Sequence, residues 1–346
     1  MRIQNLSLIN FRNHSKLNIP VGEKKFIVIT GRNGSGKTNI LEAISILYPG
    51  RGLRSAKLTE TIRWASGQAD IKASLTHQER IIEIQARIDS KKSIEINGQK
   101  AKNHQELANT LSIVWFSPQI CSLLISSNMA RIKFIDRIAY SINANHAKLI
   151  IEYKKAMHTR NKLLARDTQD EIWLNSLEQI IAQHSIAIHN NRQQVISILM
   201  QINPAKAKIT LQGRIAELVA VEKNASSLLQ QKLKEYRKID SALGFSRISI
   251  YQSPINIINL ESNSGLNLCS TGEQKNLILS IIIAQIQAKQ TRHRPIILLD
   301  DPMEHLDTHK KDKLLLELDQ LDCQIWIADH NIDNYSNIDA QIVEII

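Results

Sequence analysis

A chain of 346 residues with 43% apolar content can bury one or two substantial cores, with Ile and Leu doing most of the packing because aromatics are only 4%. Its formal charge of +11 and pI of about 9.5 suit a polyanionic partner, either nucleic acid or an acidic membrane surface. Cys121, Cys269 and Cys323 are scattered and form no C-x-x-C pair, which argues against a disulfide framework and a zinc site and fits a reducing cytoplasm. No apolar run reaches the roughly 18 residues of a membrane span, and Asn and Arg interrupt the N-terminal runs a signal peptide would need.

The chain opens as sheet. Ile3, Leu6, Leu8 and Ile9 read as a strand, and Phe26-Ile27-Val28-Ile29 as a compact apolar strand ending at Gly31. Asn39 to Leu47 reads as helix and stops at Tyr48-Pro49-Gly50. Residues 60 to 115 read as further strands and turns, with Asn97-Gly98 as a hairpin turn. From about 128 to 240 the pattern is helical. Leu177, Ile181, Ile188, Val195 and Leu199 fall within about 40° of one another at the α-helical period. His184 shares that stripe as a core histidine. Asn203-Pro204 breaks the run, and Lys232 to Lys238 reads as a solvated helix face. After Gly244 strands return, with Ile296-Ile297-Leu298-Leu299 and Gln324 to Ala328 resembling buried parallel strands. The pattern predicts one α/β lobe formed by residues 1–115 and 241–346, interrupted by a helical lobe at 116–240.

Gly31-Arg32-Asn33-Gly34-Ser35-Gly36-Lys37-Thr38 fits G-x-x-x-x-G-K-[ST], between a strand and a helix. In such a loop backbone N–H groups curl round phosphate oxygens, Lys37 reaches the β- and γ-phosphates, and the Thr38 hydroxyl can coordinate Mg²⁺. Ile296-Ile297-Leu298-Leu299-Asp300-Asp301 is an apolar strand ending in two carboxylates, a Walker B pattern. There Asp300 would hold Mg²⁺ and Asp301 would orient or deprotonate the attacking water. Ser270-Thr271-Gly272-Glu273-Gln274-Lys275 has two readings: a capping box at a helix start, or a helix start that binds the γ-phosphate of a nucleotide on a second subunit. Glu304-His305-Leu306-Asp307 occupies the place of a dimer-contacting loop, and His330 that of a γ-phosphate-sensing histidine.

Together these residues resemble the RecF family, bacterial DNA-repair ATPases of the ABC/SMC head class. Leu8-Ile9-Asn10-Phe11-Arg12-Asn13-His14 resembles the family's L-x-N-F-R-N-Y start, and Gly50-Arg51-Gly52-Leu53-Arg54 follows the P-loop helix as it does there. Phe116-Ser117-Pro118-Gln119 is similar to F-x-P-E, and Arg131 to Asp136 resembles R-R-R-F-L-D. Tyr153-Lys154-Lys155-Ala156 with Arg160-Asn161-Lys162-Leu163-Leu164 resembles Y-x-x-A-L-x-x-R-N-x-L-L, which has no generic ABC counterpart. There are departures. Ser249 to Asn256 stands where the family carries G-P-H-R-D-D-L. Glu273 stands where the family often has Gln, and Pro302 and His305 replace the commoner V-x-S-E-L-D wording.

The resemblance implies an ABC/SMC-type ATPase head, a P-loop sheet with flanking helices and an inserted helical lobe. It implies ATP and Mg²⁺ as cofactors, with Gln119 joining Thr38 and Asp300 at the metal, and Asp301 and His330 in catalysis. Ser270 and Gly272 would face a partner's ATP in an ATP-bridged homodimer. It further implies slow hydrolysis used as a switch, binding to duplex, single-stranded and gapped DNA, and loading of RecA with RecO and RecR. Candidate DNA contacts are Arg51, Arg54 and Lys57, then Arg131, Lys133 and Arg137, then Lys154, Lys155, Arg160, Lys162 and Arg166; each is equally readable as a solvated charge. An ABC transporter subunit, an SMC-like tethering ATPase and a non-hydrolysing DNA scaffold are the competing readings. The absence of N-K-x-D argues against a GTPase.

Overall fold

The computed structural model describes residues 1–346 except 78–79, 104–105, 108–109, 144, 167–169, 222–223, 289–293 and 346. The chain divides into two compact units, one formed by Met1–Ser122 with Ile278–Ile346 and the other by Leu123–Leu277.

The first unit holds two sheets. β1 (Arg2–Phe11), β2 (His14–Pro20), β3 (Phe26–Gly31), β4 (Ala69–His77), β5 (Arg80–Ile88), β6 (Lys92–Ile96), β7 (Gln99–Lys100) and β8 (Ile113–Phe116) precede its helical interruption. β1, β2 and β4 to β7 form an antiparallel sheet in the order β2-β1-β4-β5-β6-β7. Its β6–β7 hairpin turns at Asn97-Gly98 with φ of 49° and 77°, the paired positive angles that a two-residue turn needs. Helix α1 (Lys37–Ile46) follows the P-loop and buries Ile40, Leu41, Ala43, Ile44 and Ile46 in one core with both sheets.

The second unit begins within α2 (Pro118–Ser126). It continues through α3 (Asn128–Ile142), α4 (Asn145–Ala165) and α5 (Glu171–Ile202). Ser127 caps α3 and Asp170 caps α5 by accepting backbone N–H bonds. The α5 stripe of Leu177, Ile181, Ile188, Val195 and Leu199 is buried, and the helix stops before Asn203-Pro204. His184 on that stripe is partly exposed and faces Glu152 at 3.2 Å. β9 (Ala207–Leu211), α6 (Arg214–Val221), α7 (Ala225–Glu235), α8 (Arg237–Leu243), β10 (Ile255–Asn259) and β11 (Ser264–Gly265) follow. The Lys232 to Lys238 stretch therefore spans two helices, and its Leu233 is buried and its Arg237 turned inward onto Glu178.

This unit is not purely helical: β11-β10-β9 form a three-stranded antiparallel sheet. Residues 241–277, expected with the ATPase lobe, fall in this unit because β10 pairs with β9. The division on the C-terminal side lies at 277/278, inside α9 (Thr271–Ala288).

The first unit resumes with β12 (Ile296–Asp300), α10 (Thr308–Asp319), β13 (Ile325–Ala328) and β14 (Ala340–Ile345). Its second sheet is all parallel, in the order β14-β3-β13-β12-β8. Every residue of β12 and β13 is buried, which is why both read as unbroken apolar runs. The fully buried Gln324 amide bonds both backbone groups of Ile3, so one side chain links β1 of the antiparallel sheet to the start of β13.

Candidate functional site

The parallel register sets Ile29, Ala328 and Asp300 side by side at the carboxyl ends of β3, β13 and β12. Ligands of open α/β sheets bind at that edge. The P-loop leaves β3 there and enters α1 at Lys37. Gly36 has φ of 104°, and a Cβ on it would come within 2.5 to 2.7 Å of Asn13 and His14 side-chain atoms, so only glycine fits. The Lys37 ammonium donates to the Gly31 and Arg32 carbonyls at 2.9 and 3.1 Å. The Thr38 hydroxyl donates to Asp300 Oδ1 at 2.7 Å. The Ser35 hydroxyl is enclosed in the loop without a hydrogen-bond partner.

The N-terminal hairpin braces this loop. The Asn13 amide donates to the Ser35 carbonyl and accepts from Asn39, and His14 Nε2 lies 3.3 Å from the Gly36 carbonyl. Burial pushes the His14 pKa down, which favours the neutral ring against the loop. Arg12 grips both oxygens of the fully buried Glu42 of α1 at 2.9 and 2.7 Å, a bidentate pair. Arg54 donates to Asn39 Oδ1 and Glu42 Oε2. The L-x-N-F-R-N start is thus a clamp on the first turns of the P-loop helix. At the other end of that helix, Lys92 of β6 donates to the carbonyls of Ile46, Tyr48 and Gly50.

Opposite the P-loop lies an acidic wall. Burial first, and Asp301 beside it, push the Asp300 carboxyl up to about 6, against the pull of the Thr38 hydroxyl. Burial, then Asp329 and Glu304, push Asp301 up as well. Asp301 and His305 carry φ of 45° and 63°, a left-handed backbone that Asp and His adopt more readily than most side chains. The buried Asp329 accepts from the Tyr335 hydroxyl at 2.6 Å, and His330 Nδ1 lies 3.4 Å from Asp329 and 3.9 Å from Asp301. One ligand atom from each of Asp301, Asp329 and His330 can be drawn within 4.8 Å of the others.

The resulting cleft, about 560 Å³, is lined by Asn33, Gly34, Gly36, Lys37, Thr38, Asp301 and His330 among the residues expected from sequence. Gly31, Arg32 and Ser35 complete the loop, and Asp300 lies behind Thr38. Asn39, Arg54 and Glu304 also line the cleft but had no role there in the sequence reading. The motifs containing them were visible; their direction was not. Gln119 is exposed in the first turn of α2 and does not line the cleft. Ser270 and Gly272 lie at the start of α9, in the second unit. There the capping box is formed: Glu273 Oε2 accepts from the Ser270 N–H at 2.8 Å and its hydroxyl at 2.7 Å.

Several DNA-contact candidates are placed otherwise. Arg160 is fully buried and donates to Glu178, Asp240 and the Leu233 carbonyl, so it holds the second core together and has no surface to offer. Tyr153, Ala156, Leu163 and Leu164 of the same motif are buried with it. Arg131 donates to the Ile255 and Ile125 carbonyls. Arg54 faces the cleft. Lys154, Lys155, Lys162 and Arg166 remain exposed on and just beyond α4. Among the described residues no helix is long and apolar enough to cross a membrane.

Comparison with known proteins agrees with this architecture. The RecF/RecN/SMC N terminal domain family matches residues 2–345. The DNA replication and repair protein RecF of Rickettsia typhi (strain ATCC VR-144 / Wilmington) is 35% identical over 357 aligned positions, covering 99% of each chain. The solved recombination mediator protein RecF-ATP of the RecFOR pathway superposes with a TM-score of 0.82 at 21% identity, over 99% of this chain and 97% of that one. An SMC head bound to the C-winged helix domain of ScpA gives 0.55 at 18% identity, over 97% and 92%. At those identities the two structures speak for the fold, the α/β ATPase head with a parallel sheet and flanking helices. With a family match from end to end and a full-length relative at 35% identity, the chain belongs to the RecF family.

Proposed function

We propose that this chain is an ATP-switched DNA-binding protein of recombinational repair. The observation that carries the reading is the Thr38–Asp300 contact at 2.7 Å beneath a P-loop whose lysine is already turned onto its own loop. The unpartnered Ser35 hydroxyl and the raised carboxyls of Asp300 and Asp301 call for a ligand that brings hydrogen-bond acceptors to the loop and a cation to the acidic wall. ATP with Mg²⁺ meets both needs. A hydroxyl and a carboxylate form an oxygen donor set that suits a small hard cation, so Thr38 and Asp300 would hold Mg²⁺, which neutralises phosphate charge when bound. Asp301 and His330 stand where a water and a γ-phosphate would be oriented. Gln119 would join the site only by a movement of the first turn of α2.

In this reading two copies close on two ATP molecules, each offering Ser270 and Gly272 to the partner's nucleotide. ATP then acts as a removable bridge, shifting the population toward the dimer because it binds that state better. The relatives' description as DNA replication and repair proteins, and the RecFOR setting of the solved neighbour, support DNA as the partner of the ATP state and RecO and RecR as co-workers in loading RecA. The net charge of +11 supports a phosphate-dominated contact. Light scattering with and without ATP and Mg²⁺ tests the switch: the parent protein dimerises with nucleotide, and Lys37→Ala does not. Binding to gapped, duplex and single-stranded DNA tests the partner. Affinity should fall by about 10³-fold or more between roughly 50 and 200 mM salt if several phosphates are neutralised. A monomer with ATP present, or salt-independent DNA binding, would contradict the proposal.

A further inference from the structure

A second cavity, about 430 Å³, lies wholly within the second unit, between the start of α6 and the loop that follows α8. It is lined by Leu243, Phe245 and Pro254 together with Arg214, Arg247 and Glu217, among others. Phe245 and Leu243 are 52% and 48% exposed, although each is large and apolar. The Arg214 and Arg247 guanidinium groups both pack on the Tyr236 ring, at 5.6 and 5.2 Å from its centroid. A cation–π contact of this kind helps hold a guanidinium group in place. Neither guanidinium has a carboxylate partner among the described residues. The segment from Ser249 to Pro254 forms one wall. That is the stretch standing where the resemblance would place G-P-H-R-D-D-L.

We propose that this groove binds a short acidic peptide segment of a partner protein, with apolar side chains seated against Phe245 and Leu243 and carboxylates held by Arg214 and Arg247. Charge complementarity selects the occupant. Two arginines held against one ring, with no carboxylate partner among the described residues, can meet carboxylates in a bidentate fork. A nucleic-acid strand needs a continuous cationic track, and the described lining residues include two cations, with Glu217 beside them. The volume lies within the usual range for a pocket taking a few side chains, and exposed aromatic and Arg residues together are the usual anchors of a protein interface. The site lies apart from the ATP cleft in sequence and composition, and the inference does not depend on nucleotide binding.

The test uses the full chain without nucleotide. A fluorescein-labelled octapeptide of two Glu-Glu-Leu-Phe repeats is titrated by anisotropy, beside the same peptide with Gln for Glu and a labelled twelve-nucleotide oligothymidylate. The acidic peptide should bind about tenfold more tightly than its Gln counterpart, and Phe245→Ala and Arg247→Gln should each weaken it at least about fivefold. Equal binding of the two peptides, or variants that bind like the parent, would overturn the proposal. So would variants that lose the oligonucleotide and keep the peptide. If Arg247→Gln melts early by circular dichroism, Arg214→Gln supplies the same readout from an exposed position.

Discussion

The Thr38 hydroxyl donates to Asp300 across 2.7 Å and joins residues 262 positions apart. It closes the distance between the P-loop helix and the Walker B strand before any ligand is considered. In the proposed site these two oxygens would hold Mg²⁺. Asp300→Asn keeps the shape and removes the charge. It should weaken ATP binding about tenfold or more when Mg²⁺ is present, equivalent to about 1.4 kcal/mol, and much less in EDTA. Calorimetric titration under both conditions checks this; an equal loss in EDTA would make the contact purely structural.

Glu273 holds the hydroxyl that the proposed dimer needs. Ser270 Oγ donates to its carboxylate at 2.7 Å, so a γ-phosphate arriving at Ser270 meets a like charge. Glu273→Gln preserves the capping box and removes the charge. ATP-dependent dimerisation should tighten by about fivefold, since a like charge about 4 Å away costs on the order of 1 kcal/mol in water. Sedimentation of parent and variant across an ATP series decides it, and an unchanged or weaker dimer would count against the role given to Glu273.

Arg160 belongs to the core. It bridges Glu178 at 3.0 Å and Asp240 at 2.8 Å with no exposed surface. Arg160→Met leaves those carboxylates short of a partner, and urea unfolding should show a loss of about 3–5 kcal/mol. DNA affinity of the folded fraction should stay as in the parent. Charge reversal at the exposed Lys155 should do the opposite, lowering DNA affinity at high salt sensitivity with little change in stability.

Lys92 caps the C-terminal end of the P-loop helix by bonding three carbonyls. Lys92→Met should cost about 1–3 kcal/mol at pH 7, because those acceptors lose their donors. Burial lowers the Lys92 pKa from 10.5 to about 8. Between those values the unfolded chain binds more protons than the folded one, so titration of this group adds stability as pH rises from about 8 towards 10.5, an increment lost as pH falls back through about 8; at pH 7 only its hydrogen bonds contribute. The gap between parent and variant, followed by chemical unfolding at several pH values, should widen from pH 8 towards 10.5. A flat gap would place the amine in a solvated setting.

The sequence by itself determined the local parts of this protein. A P-loop is contiguous backbone, so its glycines, lysine and threonine are legible without a partner, and Asn97-Gly98 announces its own turn through the two positive φ angles it permits. Buried parallel strands announce themselves by having no polar face, as β12 does. The tertiary structure alone decided where the charges went. Arg160 repeats at helical spacing with Tyr153, Ala156, Leu163 and Leu164, a hint that it faces the core, but its carboxylate partners lie 18 and 80 residues away. Arg12, Arg54 and Lys92 likewise serve the P-loop helix from outside it. The three-stranded sheet and the seam inside α9 depend on β9 finding β10 across some 45 residues of chain, a pairing that periodicity does not encode. A cation's role is set by which distant acceptor it meets, and that is a property of the fold.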